Sequence, residues 1–104
     1  MTVYTVGVIV GSVSHPSLNR RFADALALLA PAADLAFRDI PIGDLPFYGT
    51  QYDREYPEAG LALKAAIEAA DGLLIVTPEY NRSIPGVLKN AIDWATRPSG
   101  QGVL

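Results

Sequence analysis

Two polar stretches of this chain hold residue types that could do chemistry, and each follows an apolar run. The first is Gly11-Ser12-Val13-Ser14-His15-Pro16-Ser17, which leads into Leu18 and Asn19. Gly11 allows a tight turn close to a ligand. Ser12, Ser14 and Ser17 offer hydroxyl donors, Asn19 offers an amide donor, and the first turn of a following helix would add N–H groups with no intrahelical partner. Together these suit an anion such as a phosphate. A serine-rich turn that merely caps its helix accounts for the same residues equally well. Neither G-x-G-x-x-G nor the Gly-Lys pair of a P-loop is present, so a dinucleotide fingerprint and an ATP cradle are both absent. The second stretch is Pro78-Glu79-Tyr80-Asn81-Arg82-Ser83-Ile84, stiffened by Pro78 and Pro85. Tyr80, Asn81, Ser83 and the backbone could border a flat heteroaromatic ring; the competing reading is a rigid turn with Tyr80 as packing. Glu79 has no visible partner carboxylate, which favours an exposed or structurally bonded side chain over a general acid or base. His15 reads as a loop residue beside the anion site.

The elements that must position these loops follow from hydrophobic patterning. Residues 3–10 are β-branched and apolar and read as a strand buried on both faces, as in a parallel sheet. A helix follows Ser17, with Leu18, Phe22, Leu26 and Leu29 on one face, and Pro31 ends it. Residues 34–40 read as a second strand. Residues 41–56 hold two prolines, two glycines and four aromatics without helical period, and read as a functional or partner-facing loop. Pro57 opens a second helix with Leu63, Ala66, Ile67 and Ala70 on one face, stopped by Asp71-Gly72. Leu73-Leu74-Ile75-Val76 is the most apolar run and reads as a third strand. In the third helix Val87, Leu88, Ala91, Ile92 and Ala95 recur at helical spacing, with Pro85 in its first turn and Ser83 as candidate cap. Lys89 and Asp93 form an i, i+4 surface pair, and Trp94 belongs to core or interface.

The order β-α-β-α-β-α predicts a parallel sheet with right-handed crossovers. In the order 2-1-3 the first and third strands are neighbours, and the two unusual loops meet at the switch point between them. The third strand would then be an edge, apolar at every position and open to pairing.

The chain has 104 residues and a net charge of −3, with half of its residues hydrophobic. That bounds it to one mildly acidic domain, residues 1–104, and the absence of a basic patch argues against nucleic acid. With no cysteine and a single histidine there is no thiolate metal site and no histidine cluster for a metal or a Ser/His triad. No run approaches the roughly 18 apolar residues of a membrane span, and a cytoplasmic setting is the default expectation.

The run from Pro78 through Asn81-Arg82-Ser83-Ile84-Pro85-Gly86-Val87-Leu88-Lys89-Asn90-Ala91-Ile92-Asp93 to Trp94 resembles the signature of the NADPH-dependent FMN reductase family. The stretch from Gly11 to Arg20 is similar to that family's phosphate loop, and Leu45-Pro46-Phe47-Tyr48 to its aromatic loop after strand two. The resemblance implies a flavodoxin-like three-layer α/β fold, bound FMN, a dimer or tetramer, and hydride passed from NADPH or NADH through the flavin to an acceptor. That acceptor is a quinone, an azo compound, a metal oxyanion or free flavin. By position, Ser12, Ser17, Leu18 and Asn19 would hold the FMN phosphate, and Pro78, Glu79, Tyr80, Asn81 and Ser83 would line the isoalloxazine ring. No side chain is implied as a catalytic acid or base, and no metal. Two departures stand out. Ser14 occupies a place where many relatives carry arginine, which leaves Arg20 or His15 to assist. The family also continues past the third helix, so the resemblance implies a domain truncated after its third βα unit. The competing readings are a non-enzymatic flavodoxin-type electron carrier and a remnant without cofactor.

Overall fold

In the computed structural model, which describes residues 2–104, the apolar run near the N-terminus forms strand β1, Tyr4–Val10. Ser17 then caps helix α1, Leu18–Leu29, its hydroxyl oxygen accepting the Arg20 N–H at 3.2 Å. The cap satisfies one of the orphan donors of the first turn. A 3₁₀ turn over Ala30–Ala33 contains Pro31 and closes on Asp34 in the left-handed region (φ 59°), ending the helix. Strand β2, Leu35–Asp39, follows. The connection to helix α2, Glu58–Glu68, is irregular apart from a 3₁₀ turn at Thr50–Tyr52. Strand β3, Gly72–Val76, and helix α3, Gly86–Thr96, complete the fold.

The sheet is parallel with order β2-β1-β3, as the alternation of elements predicts. Side chains alternate between its faces. Ile9 points to the face covered by α2 and α3, where it joins Ile40, Ile42, Leu63, Ile67, Leu88, Ala91 and Trp94 in the main core. Val8, Val10 and Val76 point the other way, against Ala23 of α1. Two helices therefore cover one face and one helix the other. No helix is long and apolar enough to cross a membrane among the described residues.

Two expectations need correction. Leu18, Phe22, Leu26 and Leu29 do not form the buried face of α1: Leu18, Phe22 and Leu29 are 76%, 58% and 67% exposed, and small Ala23 faces the sheet instead. Helical periodicity reveals an apolar stripe without saying what covers it, and among the described residues nothing covers this one. Of core and interface, Trp94 takes the core: it is fully buried, and Tyr48, Tyr52 and Tyr56 of the irregular loop pack around it. Ser83 does not cap α3, because Pro85 occupies the cap position without a side-chain bond and Ser83 is used in a tight turn. Strand β3 is an edge, as the order 2-1-3 predicts: it pairs with β1 alone, and Ile75 is 41% exposed. The surface pair of Lys89 and Asp93 is formed as the spacing predicts.

Candidate functional site

Both polar loops leave the carboxyl ends of adjacent parallel strands, where an open α/β sheet presents its ligand crevice. The Gly11 N–H donates to the Val76 carbonyl at 2.8 Å, so the two backbones depart side by side. A Cβ on Gly11 would lie 2.8 Å from Thr77 Oγ1 and 3.0 Å from Leu88 Cδ2, so only glycine permits this approach.

The first loop is built as a set of donors. Ser17 Oγ accepts from the Arg20 N–H, and Ser12 Oγ accepts from the Ser14 N–H at 3.3 Å. Each oxygen is thereby anchored to backbone while its own proton is free to point outward. Leu18 and Asn19 open α1, and no protein acceptor takes their backbone N–H groups among the described residues. Ser12, Val13, Ser14, His15, Ser17 and Arg20 line a cleft of about 220 Å³ with no carboxylate in its wall. Arg20 is already shared: its guanidinium lies 2.8 Å from Asp39 and 3.9 Å from Asp24.

The second loop is a two-residue hairpin. Tyr80 N–H donates to the Ser83 carbonyl at 2.8 Å, and Ser83 N–H returns the bond at 3.0 Å. Asn81 and Arg82 between them have φ of 52° and 66°. Tight turns of this hand require positive φ at both central positions, which asparagine tolerates well and arginine poorly. Backbone strain of this kind costs about 1–3 kcal/mol and gathers at functional turns. The turn directs Tyr80 back across the crevice, where its hydroxyl lies 3.4 Å from Ser14 Oγ, 66 residues away in sequence. The Ser14 and then the Ser12 hydroxyl, each able to turn and donate to the phenolate, lower the Tyr80 pKa from its ordinary value.

The structure thus brings Ser12, Ser17, Leu18 and Asn19 together at one helix start, and Tyr80 reaches them through Ser14. Glu79, Asn81 and Ser83 are exposed on the turn, and their side chains have no hydrogen-bond partner among the described residues. Pro78 is half-buried at its base, where its carbonyl accepts the Thr77 hydroxyl at 2.8 Å. No cluster of three acidic or histidine side chains able to hold a metal occurs among the described residues.

Sequence reasoning missed the device that holds the aromatic loop. Asn90, the buried polar side chain of the core, accepts the Tyr48 N–H at 2.8 Å and donates to the Pro46 carbonyl at 3.0 Å. Trp94 Nε1 donates to the same carbonyl at 2.7 Å. The available signal was a polar residue one turn before Trp94 on the apolar stripe of α3. Outside this clamp, Arg97 donates to the Tyr48 hydroxyl and to Asp53, each at 2.8 Å, and the Tyr48 hydroxyl donates to Asp53. The Tyr48 hydroxyl bond, then Arg97, hold Asp53 below the usual carboxylate range. Burial pushes Tyr56 up to about 12; its hydroxyl faces the carbonyls of Trp94 and Arg97 at 2.7 and 2.8 Å. A separate apolar hollow of about 200 Å³ lies between Ile40, Pro41, Leu45 and α2, away from both loops.

Comparison with known proteins bears on the family and the fold. A family model described as NADPH-dependent FMN reductase matches residues 4–104. A 2-hydroxy-1,4-benzoquinone reductase of Burkholderia is 57% identical over 98 residues, covering 94% of this chain and 53% of the relative. A quinone reductase of Pseudomonas putida is 50% identical over 100 residues, covering 95% of this chain and 53% of the relative. Among solved structures, FerB, a flavoenzyme NAD(P)H:(acceptor) oxidoreductase from Paracoccus denitrificans, superposes with a TM-score of 0.90 at 50% identity. The match covers 97% of this chain and 55% of FerB. The chain spans about half the length of the curated relatives it matches.

Proposed function

The chain belongs to the NADPH-dependent FMN reductase family, and on that premise we propose that it binds FMN and serves an NAD(P)H-dependent oxidoreductase whose acceptor is a quinone. The observation that carries the reading is the convergence of a hydroxyl-rich, carboxylate-free cleft with the Tyr80 turn at the switch point of the sheet. The residues present fit the group. Hydroxyls, unclaimed helix N–H groups and no carboxylate are what a phosphate dianion requires. The strained turn offers backbone and a tyrosine edge for a flat ring. FMN supplies the hydride chemistry when bound, and the protein supplies binding, orientation and electrostatics.

Ser12, Ser17, the Asn19 side-chain amide and the N–H groups of Leu18 and Asn19 would hold the phosphate, with Pro78, Glu79, Tyr80, Asn81 and Ser83 bordering the ring. NADPH or NADH is the donor. The quinone acceptor is favoured over azo compounds, metal oxyanions or free flavin because the two closely similar relatives are named for quinones. A nicotinamide donor favours a cytoplasmic setting. The free edge of β3 beside exposed Ile75, together with the Leu18, Phe22 and Leu29 stripe, calls for a protein cover. We take that cover to be a further parallel strand with its helix, for which the additional length of the relatives leaves room, in a homodimer or homotetramer.

The test is an FMN titration followed by flavin fluorescence, with NADPH oxidation by a benzoquinone as the activity measurement. Ser17→Ala combined with Asn19→Ala removes two donors, each worth roughly 1–2 kcal/mol toward a charged acceptor. FMN affinity should fall about a hundredfold. An unchanged dissociation constant in a variant whose circular dichroism is intact overturns the phosphate assignment.

A further inference from the structure

We propose that Tyr80 is a positioning residue of the anion site, acting from the ring side of the crevice through Ser14. The proposal rests on the reading of the first loop as the FMN phosphate site. The cleft is poor in available positive charge: Arg20 is held by Asp39 at 2.8 Å, and His15 is the other ionisable group in its wall. Hydroxyls must therefore do most of the work. Ser12 and Ser17 are each fixed by a backbone N–H given to their oxygen. Among the described residues Ser14 Oγ receives no backbone N–H; its partner is the Tyr80 hydroxyl at 3.4 Å.

A phenol is a stronger donor than an alkyl hydroxyl, so the favoured arrangement has Tyr80 O–H donating to Ser14 Oγ. The Ser14 proton is then released toward the cleft, polarised by the bond behind it. Tyr80 can reach because its backbone is locked on both sides of Asn81 and Arg82 by the paired bonds to Ser83. The relay ties the phosphate end of the site to the ring end, and a hydroxyl pair stands in for a cation in the loop.

The relay is tested by comparing FMN with riboflavin, which has the same ring and no phosphate. Wild type should bind FMN more tightly. Ser14→Ala should lower FMN affinity about tenfold, the size of one charge-assisted hydrogen bond, and leave riboflavin affinity unchanged, while Tyr80→Phe, which also touches the ring side, should lower FMN affinity about tenfold beyond any effect it has on riboflavin. Because the two groups act in series, the double variant should be no worse than Tyr80→Phe alone. Ser14→Thr should restore binding. In the flavin-free chain, Ser14→Ala should raise the titration midpoint of the Tyr80 phenol, followed by carbon-13 NMR of its ring. The relay is overturned if Tyr80→Phe weakens riboflavin as much as FMN, if the two losses multiply, or if Ser14→Ala leaves the Tyr80 titration in place. Equal wild-type affinity for FMN and riboflavin would instead defeat the phosphate reading, and the titration alone would then decide the relay.

Discussion

Replacing Asn90 with leucine should destabilise the chain far more than an isosteric change in one helix normally does. Asn90 lies in the core at 9% exposure and holds a loop more than forty residues away through two hydrogen bonds. Leucine keeps the branched shape, with somewhat more bulk, and removes both bonds. The two losses are unequal. The Pro46 carbonyl keeps the Trp94 indole N–H at 2.7 Å and is not orphaned, so that loss is about 1 kcal/mol. The Tyr48 N–H loses its acceptor and stays half-buried, which costs about 1–3 kcal/mol. Apolar transfer of the leucine offsets part of this, leaving a net loss of about 2–3 kcal/mol. At about 4–8 °C per kcal/mol for a domain near this size, the melting temperature should fall by roughly 8–24 °C. Trp94 is the single tryptophan, so urea unfolding followed by its fluorescence reads the clamp directly. Asn90→Asp refines the test. One carboxylate oxygen can still accept the Tyr48 N–H, but the other meets the Pro46 carbonyl, so burial and repulsion raise the folded pKa of the new carboxyl above its unfolded value. The aspartate variant should be weakest at neutral pH and recover toward wild type as pH falls to about 4, the ordinary carboxylate range. A leucine variant within about 0.5 kcal/mol of wild type would refute the clamp.

Gly60→Ala should destabilise even though alanine is the better helix former by about 1 kcal/mol. The new Cβ would sit 2.8 Å from Trp94 Cε3 and 3.1 Å from Tyr56 Cδ2. Overpacking of about 1–3 kcal/mol therefore outweighs the gain, and a raised melting temperature would contradict this. Tyr56 is held at about 12 in the folded chain, so its contribution to stability is complete below the ordinary tyrosine value near 10 and is lost as pH rises from there through about 12. Denaturation midpoints measured across that range should fall for wild type and flatten in Tyr56→Phe; parallel profiles would exclude Tyr56 as the cause. The 104-residue chain should associate at micromolar concentration through its open β3 edge and α1 stripe. Ile75→Lys should shift sedimentation toward monomer, and a monomeric wild type would count against the uncovered edge.

The order of elements and the neighbourhood of the two loops were legible because both depend on local patterns. Apolar runs mark residues 3–10 and 73–76 as strands of a parallel sheet, and the alternation with helices leaves few topologies. Ser17 was readable as part of a helix start because a cap is a local chemical need. The orientation of α1 was not readable. Leu18, Phe22 and Leu29 form a proper stripe, yet Ala23 faces the sheet, because which side is covered depends on neighbours far away in sequence. Trp94 was ambiguous for the same reason: its cover is three tyrosines of an irregular loop whose path has no periodicity. Asn90 escaped notice because its partners are backbone groups of Pro46 and Tyr48, which carry no side-chain signature. The Tyr80 turn was recognisable as rigid, but its direction is set by Asn81 and Arg82 in the left-handed region, a choice an arginine does not advertise.

The central claim is that the loops after β1 and β3 form one FMN site, and amide chemical-shift mapping of the labelled chain during an FMN titration tests it most directly. The account predicts a saturable response with its largest shifts at Leu18 and Asn19 on one side of the crevice and at Tyr80 to Ser83 on the other. Riboflavin should reproduce the second group and leave the first nearly still. Shifts concentrated around Ile40, Leu45 and Ala62, or no saturable response at all, would contradict it.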